Sequence, residues 1–154
     1  MPEIIASGDC WSLDNDGLLE IFCVGPMYTT DWRDYAESIT RVEIADGVTS
    51  IDNQAFYECY HLQSVVIPDS VTEIGEEAFA GDESAQCLTL GDKAETIGAR
   101  AFADMPALEL IELPGSVKTI ADDAFAGSDP LIVCPKGSAA EAFAIGHGLR
   151  YFSR

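Results

Sequence analysis

The chain has 154 residues, enough for about one domain with a single continuous core. Its 27 acidic against 8 basic residues leave a formal net charge of −19, so DNA, RNA and anionic membrane surfaces would repel it. No apolar run approaches the roughly eighteen residues of a membrane span, and Met1-Pro2-Glu3 does not open a secretory signal. The acids are read as spread over exposed turns (Glu73, Glu76, Glu77, Asp82, Glu83, Asp122, Asp123, Asp129). That pattern is a solvated surface or, on a sharper reading, a face for a basic partner.

Residues 10–24 predict a β-hairpin: Trp11 and Leu13 alternate before Asp14-Asn15-Asp16-Gly17, and Leu19, Ile21 and Cys23 alternate after it. Asp14, Asp16 and Gly17 resemble the start of a calcium loop, but that spacing puts Cys23 where the closing glutamate belongs. Residues 28–41 carry Tyr28, Trp32, Tyr35 and Ile39; they read as packing of a cap onto the chain from residue 42 onward, or as an exposed aromatic patch.

From residue 42 a 23-residue period takes over. Phe56, Phe79, Phe102 and Phe125 recur on it, as do Ile51, Ile74, Ile97 and Ile120; Ala55, Ala78, Ala101 and Ala124; and Val48, Val71, Ala94 and Val117. The pairs Val42/Ile44, Val65/Ile67, Leu88/Leu90 and Ile111/Leu113 alternate inward as strands do, leaving the residue between each pair facing out. Ile39 lies one period before Leu62, so the register begins in a half unit. Such a period predicts a solenoid, in which one turn cannot bury its apolar side without neighbours. Each turn is expected to hold a strand, a turn, a second short extended piece (Val71 to Ile74 in the second unit) and a helical or 3₁₀ turn carrying Ala-Phe. The rings should then stack along the axis.

Residues 131–134 read as the last strand of the ladder, and Pro135-Lys136-Gly137 breaks the pattern. Ser138 and Glu141 have capping-box spacing. A short helix is expected through Ala144 with a stop near Gly146, then a strand from Leu149 to Phe152. Such a plug would cover the last ring and end the array. The expected organisation is one domain over 1–154: an N-terminal β cap and half repeat (8–41), four repeats with the last shortened (42–134), and a C-terminal cap (135–154).

The run Cys59-x-x-Leu62-x-x-Val65-x-Ile67-Pro68-x-x-Val71-x-x-Ile74-Gly75-x-x-Ala78-Phe79 resembles the BspA-like leucine-rich repeat family. The likeness extends over roughly residues 8–154. Trp11-x-Leu13, the Asp-Gly turn and Gly25-Pro26-Met27 are similar to its N-terminal cap, and Gly137-Ser138-x-Ala140-x-x-Phe143-Ala144 to its C-terminal ending. The resemblance implies a mainly β leucine-rich-repeat solenoid, a short right-handed superhelix of β/α type, with a β-hairpin cap at one end and a helix-strand cap at the other. It also implies a bacterial secreted or surface protein, and the visible start then reads as a trimmed mature end or a cloned fragment.

Candidate chemistry is sparse. Cys10, Cys23, Cys59, Cys87 and Cys134 match no metal-ligand spacing. A Cys10–Cys23 disulfide is conceivable, but the hairpin register sets Cys10 opposite a residue near Ile21, about two positions off. Cys59 falls at the family's small buried position, where a reduced thiol acts as a hydrophobe. His61 and His147 form no readable triad or metal helix. No enzyme, metal or cofactor is therefore expected. What remains is the outward face of the strand ladder, the concave side in repeat proteins, where Arg41, Ser64, Cys87 and Leu110 should form one row and Glu43, Val66, Thr89 and Glu112 the next. Arg41, Glu43, Ser64, Val66, Thr89, Leu110 and Glu112 are the expected contact residues. Their mixed chemistry suits an extracellular matrix or cell-surface protein, and neither nucleic acid nor membrane insertion. The alternative is a spacer in a larger envelope protein, with no ligand of its own.

Overall fold

The computed structural model describes residues 1–154. Strands β1 (Ile4–Ser7), β2 (Trp11–Asp14) and β3 (Leu18–Ile21) run antiparallel in turn. The β2–β3 turn is closed by Asp14, whose Oδ1 accepts hydrogen bonds from the Asp16 and Leu18 amides, 2.9 Å each. Gly17 completes it at a φ of 83°, a value open to glycine at no steric cost. β1 is an addition to the expected hairpin. It lies on the outer side of β2 with a register shift between Ile4 and Ala6, and both Ile4 and Ile5 are exposed.

The rest of the chain winds through β4 (Gly25–Pro26), a 3₁₀ helix (Asp31–Ser38), β5 (Arg41–Ile44), β6 (Val48–Ile51), β7 (Ser64–Val66), β8 (Glu73–Ile74), β9 (Cys87–Thr89), β10 (Thr96–Ile97), β11 (Leu110–Glu112), β12 (Thr119–Ile120), β13 (Leu131–Cys134), α1 (Ala139–His147) and β14 (Tyr151–Ser153). Two sheets result. The larger has the order β1-β2-β3-β5-β7-β9-β11-β13-β14 and is parallel from β3 onward; the smaller is β4-β6-β8-β10-β12. The period dictates this pairing, because residues one unit apart become neighbours: Arg41 with Ser64, Val66 with Thr89, Ile51 with Ile74 and Thr96 with Thr119.

The third side of each turn departs from expectation. The Ala-Phe segments are hydrogen-bonded turns without a helix, and left-handed residues frame them: Gln54 and Glu58, Glu77 and Gly81, Arg100 and Asp104, with φ between 53° and 81°. A helix would keep all its amides within the segment. Here alternate amides stay inside, Ala78 N donating to Gly75 O and Ala80 N to Glu77 O, and the others point along the axis, so that Phe56 N, Phe79 N and Phe102 N donate to Ala78 O, Ala101 O and Ala124 O of the next turn at 2.8–2.9 Å. The second left-handed position alternates along the array as Glu58, Gly81, Asp104 and Gly127. The Glu58 side chain lies over Gly81, where an added Cβ would sit 3.2 Å from its Cγ, and the Asp104 carboxylate covers Gly127 in the same way.

Between these three sides runs one apolar core of 41 buried residues, from Cys10 to Ala144. The rings of Phe56, Phe79, Phe102 and Phe125 stack with centroids 5.1–5.6 Å apart. Both caps add a ring: Trp32 stacks on Phe56 at 6.1 Å and Phe143 meets Phe125 at 6.0 Å. Burial of each ring contributes roughly 1.5–3 kcal/mol. Trp32 also donates from Nε1 to Ala55 O at 2.7 Å, so the cap is fastened to the first turn as well as packed on it. Ile39 is buried beside it, whereas Tyr28 is exposed.

Several local expectations are corrected. Cys10 and Cys23 form a disulfide, with Cα atoms 4.9 Å apart. Trp11 pairs with Ile21, which sets Cys10 opposite Phe22; the ladder ends there, and Cys23 is free to turn back. Asp82, read as a surface charge, is fully buried. The helix α1 starts as expected, with Ser138 Oγ accepting from Glu141 N, but the Glu141 carboxylate accepts from the Gly137 amide, one residue before the expected one. It runs on to His147 and ends on Gly148 at a φ of 66°. The last strand is displaced with it, to Tyr151–Ser153, parallel to β13.

Candidate functional site

The outward face of the large sheet holds the expected contact residues in two rows. Strand pairing places Arg41 beside Ser64 and Leu110 beside Cys87; Glu43, Val66 and Thr89 follow one another, and Glu112 pairs with Thr89. Arg41, Glu43, Ser64, Val66, Cys87 and Thr89 are exposed, and Leu110 and Glu112 half-buried. Val66 is the most prominent, an apolar side chain 71% exposed in the middle of the face.

Both rows are longer than expected. Glu20 pairs with Glu43 and Ser12 with Glu20 at one end, while Val133 pairs with Glu112 and Phe152 with Val133 at the other. The Arg41 row likewise begins at Leu18 and continues to Leu131. Glu20 stands one period before Glu43, so the sequence carried a signal for it. Val133 and Phe152 lie outside the period and gave none. The completed face is graded, with Glu20 and Glu43 side by side towards the N-terminal cap next to the cation Arg41, and Leu110, Leu131 and Phe152 gathering apolar side chains around Glu112 towards the other end.

At that apolar end the face dips into a cavity of about 360 Å³, bounded by Thr89, Asp92, Glu112, Leu113, Val133 and Arg154 among others. The Arg154 guanidinium reaches Glu112 there, Nη2 to Oε1 at 2.9 Å. A larger and more polar concavity, about 620 Å³, opens on the turn side between Asp31, Arg33, Asp34, Glu37, Tyr57 and Glu58. The Glu58 carboxylate pushes the Tyr57 phenol up from its ordinary range, as a negative neighbour does.

Two further titratable groups, one buried and one exposed, lie elsewhere. Burial first, and the Asp82 carboxyl second, push the Cys59 thiol far up, which keeps it neutral and unreactive. His147 stacks on Phe143 at a centroid distance of 4.0 Å, with Nδ1 2.9 Å from Phe143 O and Nε2 3.6 Å from Asp122 Oδ1. Its four-residue spacing from Phe143 on one helix was the available signal. No helix is long and apolar enough to cross a membrane.

Comparison with known proteins agrees with this architecture. No curated protein matches the chain. A leucine-rich repeat protein from Bacteroides ovatus is similar in structure at 28% identity and a TM-score of 0.64, covering 77% of this chain and 31% of its own. A leucine rich cell surface protein from Faecalibacterium prausnitzii is similar at 26% identity and a TM-score of 0.62, covering 93% and 37%. A leucine-rich repeat protein from Eubacterium ventriosum, at 24% identity and a TM-score of 0.59, covers 82% and 41% and bears on the fold alone. This chain thus spans less than half the length of each of these proteins. The family model of the BspA type leucine rich repeat region matches in six copies over residues 34–134. With that match over most of its length, and with the stacked turns described above, the chain belongs to the BspA type leucine rich repeat family.

Proposed function

We propose that this chain is a non-enzymatic protein-binding module of a secreted or cell-surface protein, and that Arg41, Glu43, Ser64, Val66, Thr89, Leu110 and Glu112 contact an extracellular matrix or cell-surface protein across the concave ladder face. The array of residues 42–134 presents this face, and the segments 8–41 and 135–154 cap it. The supporting observation is the graded row from Glu20 to Phe152, whose strand-to-strand register is fixed by backbone hydrogen bonds. A rigid ladder presents side chains without a backbone ordering cost on binding, which favours recognition of an extended protein surface. The likeness to a cell surface protein from F. prausnitzii supports the location.

The test is a binding screen of the purified chain against matrix and cell-surface proteins at low and physiological salt. A hit that weakens with salt and is lost in Glu43→Lys, at unchanged circular dichroism and melting temperature, supports the acidic end of the face. Unchanged binding in that variant removes the face from the proposal. No hit at either salt favours the second reading, a spacer within a longer envelope protein, which the greater length of the relatives also supports.

A further inference from the structure

We propose that the cavity at the carboxyl ends of β9, β11 and β13 is a subsite for one arginine side chain of the bound protein, and that Arg154 of this chain occupies it in the absence of that partner. The inference deepens the protein-binding reading and rests on it. The cavity lies on the contact face itself, since Thr89 and Glu112 belong to the outward row and Val133 continues it. Its chemistry is that of an arginine clamp. Pro114, Val133 and Pro135 supply apolar walls for an aliphatic stem, and Asp92 and Glu112 supply carboxylates for a planar head.

A guanidinium already sits there. The Arg154 main chain is held in the ladder, its amide donating to Cys134 O at 3.1 Å and its carbonyl accepting from Lys136 N at 2.9 Å. Its side chain bends over to Glu112, yet the pair is open to water, with the two side chains 61% and 42% exposed. Exposed ion pairs of this kind exchange readily with competing charges. Asp92 hydrogen-bonds only through its backbone amide, to Asp69 Oδ1, so its carboxylate stays unpaired and the occupied cavity keeps an uncompensated negative charge. The cavity therefore attracts a second cation while Arg154 is seated, and accepts it once Arg154 swings out.

The experiment is a ¹H–¹⁵N shift titration of the full chain with Nα-acetyl-arginine methylamide, and with its norleucine analogue as control. It needs no identified partner protein, so its outcome is separate from that of the binding screen. In Arg154→Ala the amides of Thr89, Glu112 and Val133 should shift at about tenfold lower probe concentration than in the unaltered chain, the factor expected if Arg154 fills the cavity about nine-tenths of the time. Arg154→Gln, which keeps most of the stem beyond β14 but removes the guanidinium, serves the same purpose if the alanine variant fails to fold. Adding Glu112→Gln should abolish the shifts. Equal titration by the norleucine analogue, no shifts in either Arg154 variant, or an unchanged response in the Glu112→Gln double variant would overturn the assignment.

Discussion

Two interior columns of this array lie three residues apart and obey different rules. The first holds Phe56, Phe79, Phe102 and Phe125, one ring per level; the second holds Cys59, Asp82, Met105 and Ser128, a different group at every level. Dispersion and buried area govern the first, where rings of one shape tile without gaps and any smaller side chain leaves a void. Satisfaction of polar atoms governs the second. Ser128 fits because its Oγ accepts from Met105 N at 2.9 Å and donates to Phe102 O at 2.7 Å. Asp82 fits worse, because neither carboxyl oxygen has a hydrogen-bond partner. Burial pushes its carboxyl well above the ordinary range, and the Cys59 amide, already bonded to Phe56 O, relieves this only in part. Neighbouring columns thus differ in fitness: one carries the fold, and the other, buried at Cys59, Asp82 and Met105 and half-buried at Ser128, tolerates exchange wherever bonds can be made.

The contrast breaks most visibly in the first column. Phe79→Ala should cost about 3–5 kcal/mol in urea unfolding; a loss below about 1 kcal/mol would mean that the stack contributes little beyond shape. In the second column Asp82→Ser, which copies Ser128, should raise stability at pH 7 by about 1–3 kcal/mol, the cost of an unsatisfied buried polar group. The gain has a definite pH dependence. Folding holds the Asp82 proton more tightly than the unfolded chain does, so the unaltered protein loses stability as pH rises from the ordinary carboxyl range through the raised folded value. The difference in melting temperature between Asp82→Ser and the unaltered chain should therefore shrink as the pH falls towards 4; a difference that is flat with pH would leave the carboxyl blameless. The smallest effect is expected for Ser128→Ala, a loss of about 1 kcal/mol by the same assay, because Met105 N and Phe102 O lose their shared partner.

The repeat made much of this legible. A fixed period states which residues stack, so the Phe column, the inward strand pairs and the rows from Arg41 to Leu110 and Glu43 to Glu112 come from counting. What was lost lay outside the count or against local appearance. β1, as long as β2 and β3, lies outside the period and shows no inward-outward alternation, and the Cys10–Cys23 bond depends on how the chain leaves the end of a hairpin rather than on the hairpin's own register. Gly81-Asp82-Glu83 has the composition of a solvated turn. Asp82 nevertheless stands one period after the buried Cys59, so the register argued for burial where composition argued for exposure. The apolar end of the contact face depends on β14, whose place is set by the length of α1 rather than by any recurrence.

The alternation of Glu58, Gly81, Asp104 and Gly127 bears on how such an array can grow. By side-chain volume on that edge the smallest translational unit of the molecule is two turns, because each bulky residue lies over a bare backbone in the turn above it. Gain or loss of a single turn would set carboxylate against carboxylate or leave two glycines facing an empty notch. Duplication or excision of turns in pairs preserves the parity, so the array has a built-in preference for changing its length by even steps.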